Sequence, residues 1–221
     1  MREGGLLLAV DSCGVEGSVA LGRVVEAEVE LLGESRIAGG ALSVGLVSGI
    51  AELLAGAGVA VGDLAGIVVV SGPGTFTGIR IGVAAVKALA EAAGLPVVAV
   101  SRLALLAEKG EARCSILDAH RGQVFCGFYQ AGEAAREVLM TAGEVNAMGG
   151  FAGRVAVCEA AVAQWIDELV GEPDVVQLAA PTAADALRYG VSDWRAGRFA
   201  DVAALDGYYL RGADAKVAGR G

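Results

Sequence analysis

One histidine, four prolines and four cysteines without a CxxC pair are the conspicuous shortages of this 221-residue sequence, and each excludes something. With His120 as the sole imidazole, a histidine-based metal site would need ligands of other types. Cys13, Cys114, Cys126 and Cys158 lack the spacing of a zinc site. Reduced thiols in the cytoplasm are therefore expected. No Lys/Arg cluster offsets the excess of 26 acidic over 17 basic residues, and the net charge is −9. Gripping a phosphate backbone takes a basic face and counterion release, so any role on nucleic acid is expected to run through a partner. Apolar runs such as Ile67–Val70 and Val97–Val100 have strand length and end in turn residues, so no membrane span is expected. The apolar run before Asp11 is too short, and its surroundings too charged, for a signal peptide.

What the chain has in quantity is apolar surface and glycine. Apolar residues make up 55% and charged residues 19%, with 34 glycines. That describes a folded chain burying roughly 70% of its surface, as one large domain or two small ones. The glycines suit tight βα turns.

The hydrophobic pattern predicts an α/β protein. Leu6–Val10 reads as a buried strand, Gly17–Leu21 as the second arm of a hairpin, and the alternating Val25–Leu31 as a third antiparallel strand. A helix is predicted over Ser43–Ala57, capped by Ser43, with Leu46, Ile50, Leu53, Leu54 and Ala57 on one face. Ile67–Val70 is the next strand. The glycine-rich Ser71–Gly82 (SGPGTFTGIRIG) follows, then a helix from about Gly78 to Ala93 stopped by Gly94 and Pro96. Val97–Val100 is another strand. From Ser101 a similar alternation restarts, with strands at Cys114–Leu117 and Val124–Tyr129 around a turn at Asp118–Gly122. Helices are predicted at Ala160–Val170 and Thr182–Gly190, and a last strand at Tyr208–Arg211, before a Gly/Ala-rich tail expected to fray. Two lobes, 1–100 and 101–221, are expected, with the C-terminal segment free to return to the first.

Three places carry candidate chemistry. Ser71–Gly82 leads from a strand through glycines to a helix N-terminus, which can present backbone N–H groups to an anion. Gly72, Gly74 and Thr75 are its candidate nucleotide contacts. It lacks the Gly-Lys-Ser/Thr of a P-loop, and Thr77 stands where a dinucleotide fingerprint needs glycine. A tight turn with Thr75 or Thr77 capping the helix explains it as well. Asp11, ending the first strand, can bind nucleotide or metal, or simply form a turn. Asp118, His120 and Arg121 can support acid–base chemistry or be surface charges on a hairpin. With no GxSxG, no HExxH and no nucleophile–base pair, no catalytic residue and no metal site are assigned.

The blocks LLLAVDS…GSVAL, VSGPGTFTGIRIGVAAVKALA, GLPVVAVSRLALLA, ILDAHRGQVF and the closing YYLR resemble the bacterial TsaB (YeaZ) family over nearly the whole chain, most thinly between Ala131 and Ala204. The resemblance implies the actin-like ATPase (ASKHA) fold, two RNase H-like lobes each with a mixed sheet flanked by helices. It further implies a cytoplasmic, non-catalytic subunit of the machinery that makes threonylcarbamoyladenosine beside the anticodon of tRNA. In that family the catalytic partner is TsaD, the ATPase TsaE joins, and tRNA is met only through the complex. ATP/ADP and metal then belong to the partners, and this chain has no cofactor of its own. TsaD carries metal-binding histidines after the strand equivalent to Val97–Val100, where this chain has Ser101-Arg102-Leu103-Ala104-Leu105-Leu106-Ala107. The family's contact helices correspond to Ser43–Ala57 and Gly78–Ala93, which makes Leu46, Ile50, Leu53, Ile81, Ala85 and Ala88 the candidate interface, used by a homodimer when the chain is alone. Leu42-Ser43 stands where the family often has His-Ser, and Asp11-Ser12-Cys13-Gly14 where it has a DTAT-like loop. A small-molecule kinase of the same superfamily and a glycoprotease are the enzymatic alternatives. The first usually needs a longer chain, the second a nucleophile or metal.

Overall fold

Leu6–Asp11 (β1) is apolar at five successive positions, a composition that suits a strand covered on both faces. In the computed structural model, which describes residues 4–151, 153–170 and 174–211, β1 lies at the centre of a five-stranded sheet. Gly17–Val25 (β2) pairs with it antiparallel, and Glu28–Ile37 (β3) pairs antiparallel with β2 at the edge. Leu42–Gly56 (α1) then leads to Leu64–Gly72 (β4), parallel to β1, and Phe76–Ala93 (α2) leads to Val97–Ser101 (β5), parallel to β4. The order is β3-β2-β1-β4-β5.

The same plan then repeats. After Arg102–Lys109 (α3), Cys114–Asp118 (β6), Gln123–Phe128 (β7) and Arg136–Thr141 (β8) form an antiparallel trio. Ala142–Ala147 (α4) leads to Val155–Val157 (β9), parallel to β6, and Ala160–Val170 (α5) leads to Val175–Gln177 (β10), parallel to β9. The second sheet reads β8-β7-β6-β9-β10, element for element the order of the first. Ala183–Ala196 (α6) closes the described helices. This is the actin-like, two-lobed RNase H arrangement expected from the sequence.

Two compact units result. Among the described residues, the first comprises the chain to Arg102 with Thr182–Tyr208, the second Leu103–Pro181 with Tyr209–Arg211. In the first, α1 packs on β2 and β3, α2 on β4 and β1, and α6 along all five strands. Two small residues set those approaches. A side chain at Gly190 of α6 would strike Val68, and one at Gly82 of α2 would strike Ser12 beside Val10, on the opposite sheet face. Leu7, Leu8, Val10, Ile67, Val68 and Val69 are fully buried between these layers, each worth about 1.5–3 kcal/mol of transfer free energy. In the second unit, Ile116, Val155, Val157, Val145, Val162 and Ile166 form the core beneath α4 and α5. On the other face of that sheet Ser115 donates to the Leu103 carbonyl of α3 (2.8 Å).

Several boundaries differ from the sequence expectation. Val25–Leu31 is not one strand. It straddles a hairpin closed by Glu26 and Ala27, with Glu26 at φ 55°. Period-two alternation cannot distinguish a strand from two arms joined by so short a loop. Ser43 is not the cap of α1, because the helix starts at Leu42 from a short 3-10 turn, Gly39–Ala41, and its N-cap Ala41 makes no side-chain bond. Tyr208–Arg211 is not a strand. Tyr208 N–H makes a ladder-like bond to the Ser71 carbonyl (2.7 Å), but no strand forms there. Gly39–Gly56 is long and apolar enough to cross a membrane, contrary to the expectation of no such run. Its Leu42, Leu46, Ile50 and Leu54 are buried within the first unit instead. The tail from Gly212 lies outside the described residues.

Candidate functional site

The Ser71–Gly82 segment meets the Asp11–Gly14 turn, and the two fill each other. Asp11 ends β1 almost fully buried, and its Oδ1 accepts the Cys13 N–H (2.9 Å). Burial raises its carboxyl pKa above the ordinary 3.8, against the opposing pull of the Arg102 guanidinium and the Cys13 amide. Burial also pushes the Cys13 thiol well up, with the Asp11 charge adding to it, and its S–H donates to the Val70 carbonyl (3.1 Å). A thiol so held is not a nucleophile.

Across from this turn, the start of α2 is tied to the rest of the chain. Thr75 N–H donates to the Cys13 carbonyl (2.8 Å), Thr75 Oγ1 caps the helix by accepting from Gly78 N–H (3.3 Å), and Ile79 N–H donates to the Thr75 carbonyl (3.0 Å). Ser12 Oγ donates to the Gly78 carbonyl (2.7 Å). The glycines are what allow this approach. A Cβ on Gly74 would overlap the Cys13 carbonyl, and one on Gly78 the Ser12 carbonyl. Gly72, at φ 135°, passes the Tyr208 carbonyl in the same way. Asp11, Gly72, Gly74 and Thr75, the candidate nucleotide contacts, are thus brought together in one joint, with the Cys13 and Ser12 carbonyls packed against Gly74 and Gly78. Ser12, Gly78, Gly82 and Arg102 are the members of this joint not foreseen as such. The glycine spacing of four, one helical turn, was the available signal.

The candidate interface residues divide. Leu46 and Ile50 are 1% and 4% exposed, part of the unit's own core, and are corrected from contact to core residues. Leu53, Ile81 and Ala85 are half-buried, and Ala88 is exposed. The 3.6-residue period selects the stripe facing the sheet, whereas a contact surface lies on the helix shoulder. There α1 presents Val44 and Val47, 79% and 66% exposed, and α2 presents Phe76 at 57%. The Arg80 guanidinium sits 3.8 Å above the Phe76 ring. Farther along α2, a shallow groove of about 440 Å³ is lined by Arg80, Val83, Ala84 and Lys87 with Ala203–Asp206, where Lys87 Nζ donates to the Ala203 and Leu205 carbonyls (2.9 and 3.0 Å).

In the second unit, Asp118 Oδ1 accepts the His120 N–H (2.7 Å), and Oδ2 lies 3.0 Å from His120 Nδ1. Among the described residues, no three His, Cys, Asp or Glu side chains assemble as metal ligands.

A family model described as TsaD, tRNA N6-adenosine threonylcarbamoyltransferase, matches residues 36–165, more than half of the chain. The tRNA threonylcarbamoyladenosine biosynthesis protein TsaB of Bacillus subtilis is 49% identical over 72 residues, 31% of either chain. Its Escherichia coli namesake is 33% identical over 90 residues, 38% of this chain and 39% of that one. The chain's matches thus span under two fifths of these curated relatives. Among solved structures, YeaZ from Pseudomonas aeruginosa superposes with a TM-score of 0.72 at 26% identity, covering 93% of this chain and all of that one. A second Pseudomonas aeruginosa structure, described as similar to peptidase YeaZ, gives 0.72 at 28%, covering 94% and 100%. Sequence match and fold agree, and the chain belongs to the TsaD family, in which its relatives are the TsaB/YeaZ proteins.

Proposed function

We propose that the chain is a non-catalytic subunit in the synthesis of threonylcarbamoyladenosine in tRNA, and that it binds and activates TsaD through the exposed shoulder of α1 and α2. The observation that carries this reading is the exposure of Phe76 at the start of α2 together with Val44 and Val47 of α1, beside a joint in which Gly74 and Gly78 pack on the Cys13 and Ser12 carbonyls. Exposed apolar residues grouped on two adjacent helices are the mark of a protein contact. An isologous homodimer through the same shoulder is the state proposed for the chain alone. On this reading TsaE joins the pair, tRNA is bound only by the complex, and nucleotide and metal reside in the partners. The net charge of −9 and the four free cysteines support a cytoplasmic protein without nucleic-acid affinity of its own.

The test is reconstitution with TsaD and TsaE from the same genome, following threonylcarbamoyl transfer to tRNA. Transfer should require the chain, and Val47→Arg or Ala88→Arg should abolish co-elution with TsaD while leaving the fold intact. Unchanged transfer without the chain would sink the reading. Pairing that survives both substitutions would remove the shoulder from it.

A further inference from the structure

Several aspartates of this chain accept a backbone N–H from two or three residues away. Asp11, Asp118 and Asp201 take the amide two residues on, and Asp63 and Asp185 the amide three residues back. Asp206 takes the amide of the very next residue, Gly207 N–H donating to its Oδ1 at 2.7 Å. That nitrogen is the atom able to close a succinimide ring on the side-chain carboxyl carbon. Its residue is glycine, with no side chain to obstruct the closure. Asp206-Gly207 is the one Asp-Gly pair in the sequence, and there is no Asn-Gly. Asp206 is exposed, and the pair lies outside helix and strand. It also lies between two ties. Just before it, Lys87 Nζ of α2 donates to the Ala203 and Leu205 carbonyls, and just after it Tyr208 N–H donates to the Ser71 carbonyl of β4.

We propose that Asp206-Gly207 is a self-modifying site, which converts through a succinimide to isoaspartate and so frees residues 203–206 from α2. The Gly207 nitrogen, losing its proton, bonds to Asp206 Cγ. One carboxyl oxygen, with that proton and the carboxyl's own, leaves as water. Water then adds to the main-chain carbonyl carbon of Asp206, the bond from that carbon to nitrogen breaks, and the carbon keeps a carboxyl group. Nothing is oxidised or reduced, and the net composition is unchanged. The main chain now runs through Asp206 Cβ and Cγ, one carbon longer, and the carboxylate sits on Cα. The lengthened chain no longer fits a span pinned at Leu205 and at Tyr208. The inference does not depend on the function proposed above, because it uses only this chain's own atoms and water.

The full-length chain, aged in warm, mildly acidic buffer, should accumulate isoaspartate at Asp206 and not at Asp201. Both sit in the tryptic peptide 199–211, where electron-transfer fragmentation tells the isomers apart. A form one water lighter should precede the isoaspartate. The folded chain should convert at least as fast as the isolated peptide. Asp206→Glu should abolish conversion, because the larger ring closes poorly, and Gly207→Ala should slow it several-fold. Gly207 does not need left-handed backbone, so both variants should keep the Tm of the wild type. As conversion proceeds, Lys87 should grow more reactive toward an amine-acylating reagent, and in aged Asp206→Glu it should not. The proposal is overturned if Asp201 isomerises equally, if folding holds Asp206 below the rate of the peptide, or if Lys87 labelling stays flat while isoaspartate accumulates.

Discussion

Asp11 and Asp118 stand at the same place in the two repeats, each the last residue of the strand that centres its sheet. Each carboxylate makes the same local bond, Oδ1 accepting the backbone N–H two residues on, at 2.9 and 2.7 Å. The settings are opposite. Asp11 is 2% exposed under the Gly74–Gly82 segment, with Ser12 and Cys13 bonded into α2 and β4. Asp118 opens an exposed turn held by its own bonds to His120, by the hairpin's backbone bonds and by Arg211. One duplicated device has become a joint in one lobe and a presented loop in the other. The partner segment decides which: a helix entered through glycines four residues apart can close on a turn, and a helix lined with side chains cannot.

The comparison breaks most visibly at its glycines. Gly78→Ala should destabilise the chain by about 2 kcal/mol or more, because its Cβ would overlap the Ser12 carbonyl and backbone would have to move. The gain in helix propensity from alanine, about 1 kcal/mol, offsets only part of that. Gly122→Ala meets no atom and suffers only its φ of 73°, so about 1 kcal/mol is expected. Chemical denaturation of the two variants measures the difference. Equal losses would mean that the closed joint is not closed by glycine.

Ser12→Ala should follow, at roughly 1 kcal/mol, since it deletes a buried hydroxyl bond and leaves the Gly78 carbonyl unpaired by it. Thr75→Ala should lose a similar amount through the helix cap, Thr75 Oγ1 being the acceptor for Gly78 N–H. In the exposed repeat, His120→Ala removes no buried bond and should leave the Tm within a degree or two. A double-mutant cycle of Ser12→Ala with Thr75→Ala should show coupling, because both bonds converge on Gly78.

How much of this was legible follows the physics of each signal. Buried strands announce themselves by composition, and β1, β4, β5, β6 and β7 were all placed. Short strands such as Val155–Val157 and Val175–Gln177 carry three residues each, too few for a period to register. The helix α3 was passed over because its Leu103–Ala107 run is buried at every position and shows no face. At the site, the glycine block was visible as special, but glycine spacing does not say whether a ligand or another stretch of chain comes close. That depends on Ser12 and Cys13, some sixty residues away in sequence. Leu46 and Ile50 misled for the opposite reason, since a clean helical stripe marks the core before it marks a contact.

The burial of Asp11 also has an electrostatic consequence. Burial raises the folded pKa of Asp11 above its ordinary 3.8, and Arg102 and the Cys13 amide oppose the shift without cancelling it. A carboxyl with a raised folded pKa binds its proton more tightly in the native state than in the unfolded one. Between the two values the native state therefore carries more protons, and stability falls as pH rises through that window. The sign is opposite to that of an ordinary salt-bridged carboxylate. Asp11→Asn keeps an acceptor for Cys13 N–H and removes the titration, so its stability should be flat across the same window. Urea titrations of wild type and variant from pH 3.5 upward would measure both slopes. Parallel curves would mean that Arg102 and the Cys13 amide neutralise the effect of burial on Asp11 in full.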